Sequence, residues 1–321
     1  MSHIMANNDN MCDDKYIYRP DVLVIGPGSQ KGYYELGALA ELENRGTLKN
    51  ISIISTCSVG SIFGLLMMVG YSALEMMEIV LQKNILDILG KINLENIIFK
   101  GGLFDIKELT KLLEDLVIKK LGYIPTMKSL YVFSNIEFCV VVTNLNKKGY
   151  KQYITYLSEP EMSCIDAVIL SSDLPLVFER LEYKGDSITD GAWSDPYPIN
   201  IYDDGKREIL GIFIDEKLYT QKVKNNFKFI NHLIDSYMSL LRENNIEKCS
   251  KKCYHLCLTV SSQVSSHINP TKKDKRIMMK RGILLTRDCM IQIENLKTLK
   301  IKTETQTETQ TEIKIEQNTK Y

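Results

Sequence analysis

The chain has 321 residues, 44% of them hydrophobic, with forty basic residues set against forty acidic ones. That length and apolar content suffice for a substantial folded core, and the cancelled charge supplies no global field to draw nucleic acid or an acidic partner. The longest apolar stretch, around residues 62–69, is too short to span a bilayer. The polar residues 1–14 lack the apolar run of a signal peptide, so a cytoplasmic address is the expectation.

Residues 1–19 read as a disordered lead-in. Residues 21–25 are a short apolar run ending at Gly26, the pattern of a buried strand, and a turn-rich loop follows over 26–32. Leu36, Leu39, Ala40 and Leu42 give residues 35–44 a helical apolar stripe. Residues 51–55 are a second buried strand. Helices are expected over 59–70 and 72–82, the second opened by Ser72 with Glu75 three residues on. Asp105 is placed to cap an amphipathic helix over 106–119. A strand over 137–143 pairs with 150–156 across the turn 144–149, and a helix over 163–172 ends before Pro175. Strands at 211–214 and 256–260 and long helices over 227–242 and 275–296 complete the set. Alternation of this kind favours an α/β fold, a mainly parallel sheet flanked by helices, forming a single domain over 20–300. Residues 301–321 contain a Thr-Glu-Thr-Gln repeat with no apolar face and are expected to be a disordered tail.

Eight cysteines are scattered along the chain. Cys139 and Cys257 sit inside apolar runs, the habit of reduced thiols acting as small hydrophobes. Cys249, Cys253, His255 and Cys257 form the one cluster. Its last three members alternate like a strand and paired C-x-x-C spacing is missing, so a half-buried strand is expected rather than a metal site, and no cofactor is implied elsewhere.

The chemistry concentrates at three places. At residues 51–64 a β-branched run stops, Ser58 follows, and a small-residue helical segment begins, the order strand, sharp turn, helix of a nucleophile elbow, G-x-S-x-G. Gly60 matches its last glycine and Thr56 stands where the first would be. The loop Pro27-Gly28-Ser29-Gln30-Lys31-Gly32 opens a helix, where outward backbone N–H groups favour negative charge; an oxyanion and a phosphate fit it equally. Asp190-Gly191 reads either as a simple turn pair or as an aspartate exposed at a strand end, available as a base. Of the four histidines, His3, His232 and His255 lie in a lead-in, a helix and a strand pattern. His267, in a polar stretch before Pro270, is the one spacing leaves open. A two-member Ser-Asp arrangement needs none of them.

Taken together, residues 22–199 resemble the patatin-like phospholipase family. Lys31-Gly32 match the end of the family's G-G-G-x-[KR]-G loop, Thr56–Gly60 fall on its elbow, and Asp190-Gly191-Ala192 match its D-G-[GA] motif. Thr143-Asn144-Leu145 and residues 163–178 resemble two further segments. The resemblance implies a patatin-like three-layer architecture and a phospholipase A-type hydrolase of fatty-acyl esters. Ser58 would be the nucleophile, Asp190 the base, and the Gly28 and Ser29 N–H groups the oxyanion hole, with an acyl-enzyme intermediate. Pro27 has no N–H and cannot serve. The implied substrate is a phospholipid or other fatty-acyl ester, with peripheral membrane contact and no nucleic acid. Two alternatives share the fold: a lipid-binding relative that has lost catalysis, to which the β-branched Thr56 points, and an acyltransferase. A nucleotide-binding α/β protein would need an acidic residue at the end of the second strand, where Thr56-Cys57-Ser58 stand. The basic run 271–281 reads either as the solvated face of a helix start, the commoner case, or as a contact for anionic headgroups, and residues 85–100 are a candidate cover of the acyl slot.

Overall fold

A computed structural model of the chain describes residues 17–83, 100–216, 226–260 and 270–318. Two compact units are formed: Arg19–Cys289, which contains the whole sheet, and Met1–Tyr18 with Met290–Tyr321. In the second unit the Lys297 ammonium lies 5.3 Å from the Tyr18 ring centroid.

The parallel half of the sheet comes from the apolar runs. Strands β1 (Val22–Ile25) and β2 (Ile53–Cys57) are buried along their whole length, as parallel strands covered on both faces must be. Between them runs helix α1 (Gly32–Asn44), and β2 is followed by α2 (Val59–Met68) and α3 (Ala73–Gln82). Ser72 caps α3 as expected: its side chain accepts from the Glu75 N–H while Glu75 reaches back to the Ser72 N–H. Short strand β3 (Gly102–Phe104), helices α4 (Lys107–Leu121) and α5 (Met127–Ser134), and strands β4 (Glu137–Asn144) and β5 (Lys151–Ile154) come next. After them come α6 (Cys164–Ser171), β6 (Leu176–Phe178), β7 (Leu181–Tyr183), β8 (Asp186–Asp190), β9 (Ile209–Glu216), α7 (Asn226–Glu247), β10 (Cys253–Val260) and α8 (Lys272–Asn318).

The sheet order is β10-β9-β1-β2-β4-β8-β7, with β5 on β4 and a separate β3–β6 pair. Strands β10, β9, β1, β2 and β4 are parallel; β8, β7 and β5 join antiparallel. Val22, Val24, Ile53, Tyr197, Ile199, Ile209 and Phe213 pack into one buried cluster on one face of the sheet.

One register positions the site. β2 pairs with β4 from Glu137 to Val141, and β8 takes over from Val142 to Asn144. Both must use the same edge of β4, because β5 occupies the other along Val140–Thr143. Cys57 therefore lies opposite Val141 and Asp190 opposite Val142, so the residue after Cys57 emerges beside Asp190.

One expectation needs correction, and another is narrowed by one residue. α8 continues to Asn318, through the tract expected to be disordered. Extending an existing helix avoids the cost of nucleation, and no Gly or Pro interrupts the repeat. In the run 271–281, Lys275 is buried, and its ammonium donates to the carbonyls of Val80 (2.8 Å) and Lys83 (2.6 Å). It satisfies acceptors left open at the C-terminal end of α3 and cannot meet a headgroup. Residues 85–99, most of the expected acyl cover, lie outside the described residues, as do His3 and His267.

Candidate active site

Ser58 stands between β2 and α2 with φ 56° and ψ −130°. A side chain held in such a conformation costs about 1–3 kcal/mol and persists only where its surroundings enforce it. Gly60 is one enforcing contact, since a Cβ there would lie 2.6 Å from the carbonyl oxygens of both Ile25 and Gly26. Ser171, at the end of α6, is another: its hydroxyl accepts from the Ser58 N–H at 2.9 Å and lies 3.1 Å from the Ser61 hydroxyl.

The Ser58 hydroxyl donates to Asp190 Oδ2 at 2.6 Å. The other carboxylate oxygen accepts from the Ala192 N–H at 2.8 Å. Among the described residues no imidazole joins them; His255 lies in β10 with its Nδ1 3.0 Å from the Tyr197 hydroxyl. Asp190 is itself held by its backbone, its N–H donating to the Asp173 carbonyl and its carbonyl accepting from the Thr143 hydroxyl. A Cβ on Gly191 would overlap the Val141 carbonyl, which is why glycine follows the aspartate. Asp190 is buried rather than exposed at a turn, because β8 ends inside the sheet, opposite Val142 of β4. Burial raises its carboxyl to about 6, against the opposing pull of the Ser58 and Ala192 hydrogen bonds. The adjacent Cys57 is buried too, and burial first, then the Asp190 charge, push its thiol well above its ordinary range. It packs and does not compete as a nucleophile.

The loop beside the elbow begins with Gly28 and continues as a single 3₁₀ turn, Ser29–Lys31. The Lys31 N–H donates to the Gly28 carbonyl at 2.7 Å, while the N–H groups of Gly28 and Ser29 have no acceptor among the described residues. Ser29 takes φ 45°, the left-handed conformation that glycine adopts without cost. Gly32 starts α1 with its Cα facing the Val59 side chain. The Lys31 ammonium sits 3.8 Å from Asp235 of α7.

Thr56 does not obstruct the elbow. Its hydroxyl donates to the Cys139 carbonyl at 3.1 Å, and its methyl occupies space that Gly64 of α2 leaves open, since a Cβ there would lie 2.9 Å from Thr56 Cγ2. The volume removed from α2 is returned on β2. Gly64→Ala should therefore destabilise the fold by about 1–3 kcal/mol. Thr56→Ser, which keeps the hydroxyl and removes the methyl, should restore part of that loss, as read by denaturant titration of the single and double variants.

The cysteine cluster is rearranged relative to its sequence reading. Asp203, Cys249 and Cys253 bring their ligand atoms within 4.8 Å of one another. Cys249 Sγ, however, faces two acceptor oxygens at 3.3 Å, Asn200 Oδ1 and the Asn245 carbonyl. The hydrogen bond from Cys253 holds the Cys249 thiol below its ordinary range. Cys257, expected to be buried, is exposed.

A strained serine on a strand–turn–helix elbow, with a buried carboxylate on its hydroxyl and N–H groups alongside that find no acceptor among the described residues, has the geometry that acyl transfer by a serine requires. The sequence pattern of the patatin-like phospholipase family matches residues 23–203, and the chain belongs to that family. An uncharacterized protein of Acanthamoeba polyphaga mimivirus is 27% identical over 289 residues, covering 85% of this chain and 94% of that one. A probable lipid hydrolase of Invertebrate iridescent virus 6 is 28% identical over 220 residues, covering 65% of this chain and 75% of its own length. Among solved structures, VipD from Legionella pneumophila superposes with a TM-score of 0.55 at 17% identity, covering 85% of this chain and 67% of VipD. The type III effector protein ExoU gives 0.50 at 13% identity, over 87% of this chain and 54% of ExoU. At those identities the structures establish a shared fold, the mainly parallel sheet flanked by helices.

Proposed function

We propose that the chain is a lipid acyl hydrolase of phospholipase A type, in which Ser58 is the nucleophile and Asp190 its base. The observation that carries this is the 2.6 Å bond from the Ser58 hydroxyl to a buried carboxylate, made from a strained elbow. Asp190 Oδ2 takes the hydroxyl proton as Ser58 Oγ adds to the ester carbonyl carbon. The oxyanion so formed is stabilised by the Gly28 and Ser29 N–H groups, whose preorganisation avoids reorientation during the reaction. Collapse breaks the ester C–O bond, and the proton on Asp190 goes to the departing alcohol oxygen. Water then attacks the acyl-serine and gives a proton to Asp190, the fatty acid leaves, and the proton returns to Ser58 Oγ. The catalytic reading is preferred to a non-catalytic relative because Gly64 accommodates Thr56 and leaves the Ser58–Asp190 bond intact. Family membership and the viral lipid hydrolase relative support a phospholipid substrate.

The test is labelling with an active-site fluorophosphonate, in which Ser58 Oγ displaces fluoride at phosphorus. Wild type should label stoichiometrically, Ser58→Ala not at all, and Asp190→Asn far more slowly. Equal labelling of Ser58→Ala and wild type would reject the assignment.

A further inference from the structure

Helix α7 carries its apolar row on the outside. Phe229, Leu233, Tyr237 and Leu240 recur at helical spacing, and all are exposed, by 57%, 59%, 43% and 65%. Amphipathic helices normally turn such a row inward. Here α7 is seated by its other side. Met238 packs on Cys57, Val141 and Ala192. Arg242 bonds Asp215 at 2.8 Å, and Asn245 donates to Asp195 at 2.7 Å. The outward row is therefore not a misplaced core face, and a contiguous exposed row of this kind marks an interaction surface.

The row does not end at the helix. The Tyr237 hydroxyl donates to the Trp193 carbonyl at 3.2 Å, with the two rings 6.3 Å apart. Across a hollow of about 270 Å³ they face Leu145 and Tyr150 on the turn between β4 and β5. Leu145 and Tyr150 are exposed by more than half, the same turn holds the exposed lysines Lys147 and Lys148, and exposed Lys151 opens β5. Lys151 lies 3.4 Å from the buried Asp195, and Lys147 donates to Gln152. Apolar and aromatic tips thus alternate with ammonium groups along one border of the site, three residues from Asp190 at Trp193.

We propose that the outward face of α7 and the turn between β4 and β5 together dock the protein on an anionic bilayer, α7 entering the interface and the lysines meeting headgroup phosphates. The proposal rests on the hydrolase reading, which requires a lipid to pass from a bilayer to Ser58. Interfacial helices bind through this combination of apolar burial and basic charge. A bilayer fits better than a second copy of the chain, because a symmetric contact through this face would set the same lysines against one another.

The experiment is co-sedimentation of the full chain with phosphatidylcholine vesicles, with and without phosphatidylserine, beside hydrolysis of a water-soluble short-chain ester. Wild type should bind the phosphatidylserine vesicles more tightly, and added salt should weaken that preference. Lys147→Glu with Lys148→Glu should weaken binding to them by roughly fivefold or more per lysine. Leu233→Ser with Leu240→Ser should weaken binding to both vesicle types by about tenfold or more. Short-chain ester hydrolysis should be unchanged in all of these variants, and Ser58→Ala should bind vesicles like wild type. Wild-type affinity in both double variants overturns the proposal, as does loss of a dimer in the leucine variant with vesicle binding retained. Vesicle binding that depends on these residues, in a chain that hydrolyses no ester, would sustain the docking face and reject the catalytic reading.

Discussion

Asp190→Asn should lower kcat/KM for ester hydrolysis by about 10²- to 10⁴-fold, the usual contribution of a positioned general base. The same substitution should stabilise the folded chain, and the reason is the burial that makes the aspartate useful. Its carboxyl is raised to about 6 in the fold from an ordinary value of 3.8. Between those values the folded state holds a proton that the unfolded state releases, so stability falls as pH rises through the window and levels off above about 6. The accumulated penalty is on the order of 3 kcal/mol at neutral pH, at about 1.4 kcal/mol per pH unit. Asparagine cannot ionise and escapes it while still accepting from the Ala192 N–H. Wild-type activity should have the opposite slope, rising about tenfold per pH unit below about 6 as the base ionises and flat above it. A pH–rate profile and thermal melts of both forms check this. An Asp190→Asn chain that is less stable than wild type at pH 7, with modest loss of rate, would make Asp190 a structural cap of the Gly191–Trp193 turn.

Much of this arrangement was legible in the residues, for reasons that can be stated. β1 and β2 are unbroken apolar runs because parallel strands are covered on both faces, and such runs stand out. The elbow and the Asp-Gly pair were visible because close backbone approach restricts what can stand at Gly60 and Gly191. What escaped depends on contacts distant in sequence. β6 and β7 have three residues each, too few for a period, and the β7–β8 turn uses Lys184 and Gly185, both with positive φ. Ser171 lies 113 residues from the N–H it accepts, and nothing in its helix marks it. Thr56 looked like damage because its compensating gap is at Gly64, on the next element. Lys275 looked like part of a solvated basic run because the carbonyls it serves are 192 and 195 residues earlier. The outward face of α7 was hidden for the opposite reason: an apolar stripe is normally read as the buried side of its helix.

Glu35→Gln should raise stability, by an amount that grows with pH. Glu35 lies on α1, fully buried, and neither carboxyl oxygen has a hydrogen-bond partner among the described residues. It sits under the loop beside Ser58, close enough that a Cβ on Gly28 would lie 2.6 Å from Glu35 Oε2. Burial raises its carboxyl well above 4.5, so between the free and the folded value the folded chain holds a proton. The unfolded chain ionises it once pH exceeds that ordinary value, and folding must then take up a proton. Stability attributable to this residue therefore falls by about 1.4 kcal/mol per pH unit above the free carboxyl's range. Glutamine keeps the shape and removes the proton uptake. Its advantage should be near zero at pH 4 and large at pH 8, measured by denaturant titration at both. Hydrolysis should be little affected, because the acid faces the loop from below and touches neither Ser58 nor Asp190. A Glu35→Gln gain that is constant with pH would mean that the carboxyl does not change its ionisation on folding. A loss at every pH would mean that its proton is spent on a bond glutamine cannot make, which would turn a tolerated burden under the Gly28 loop into one of its supports.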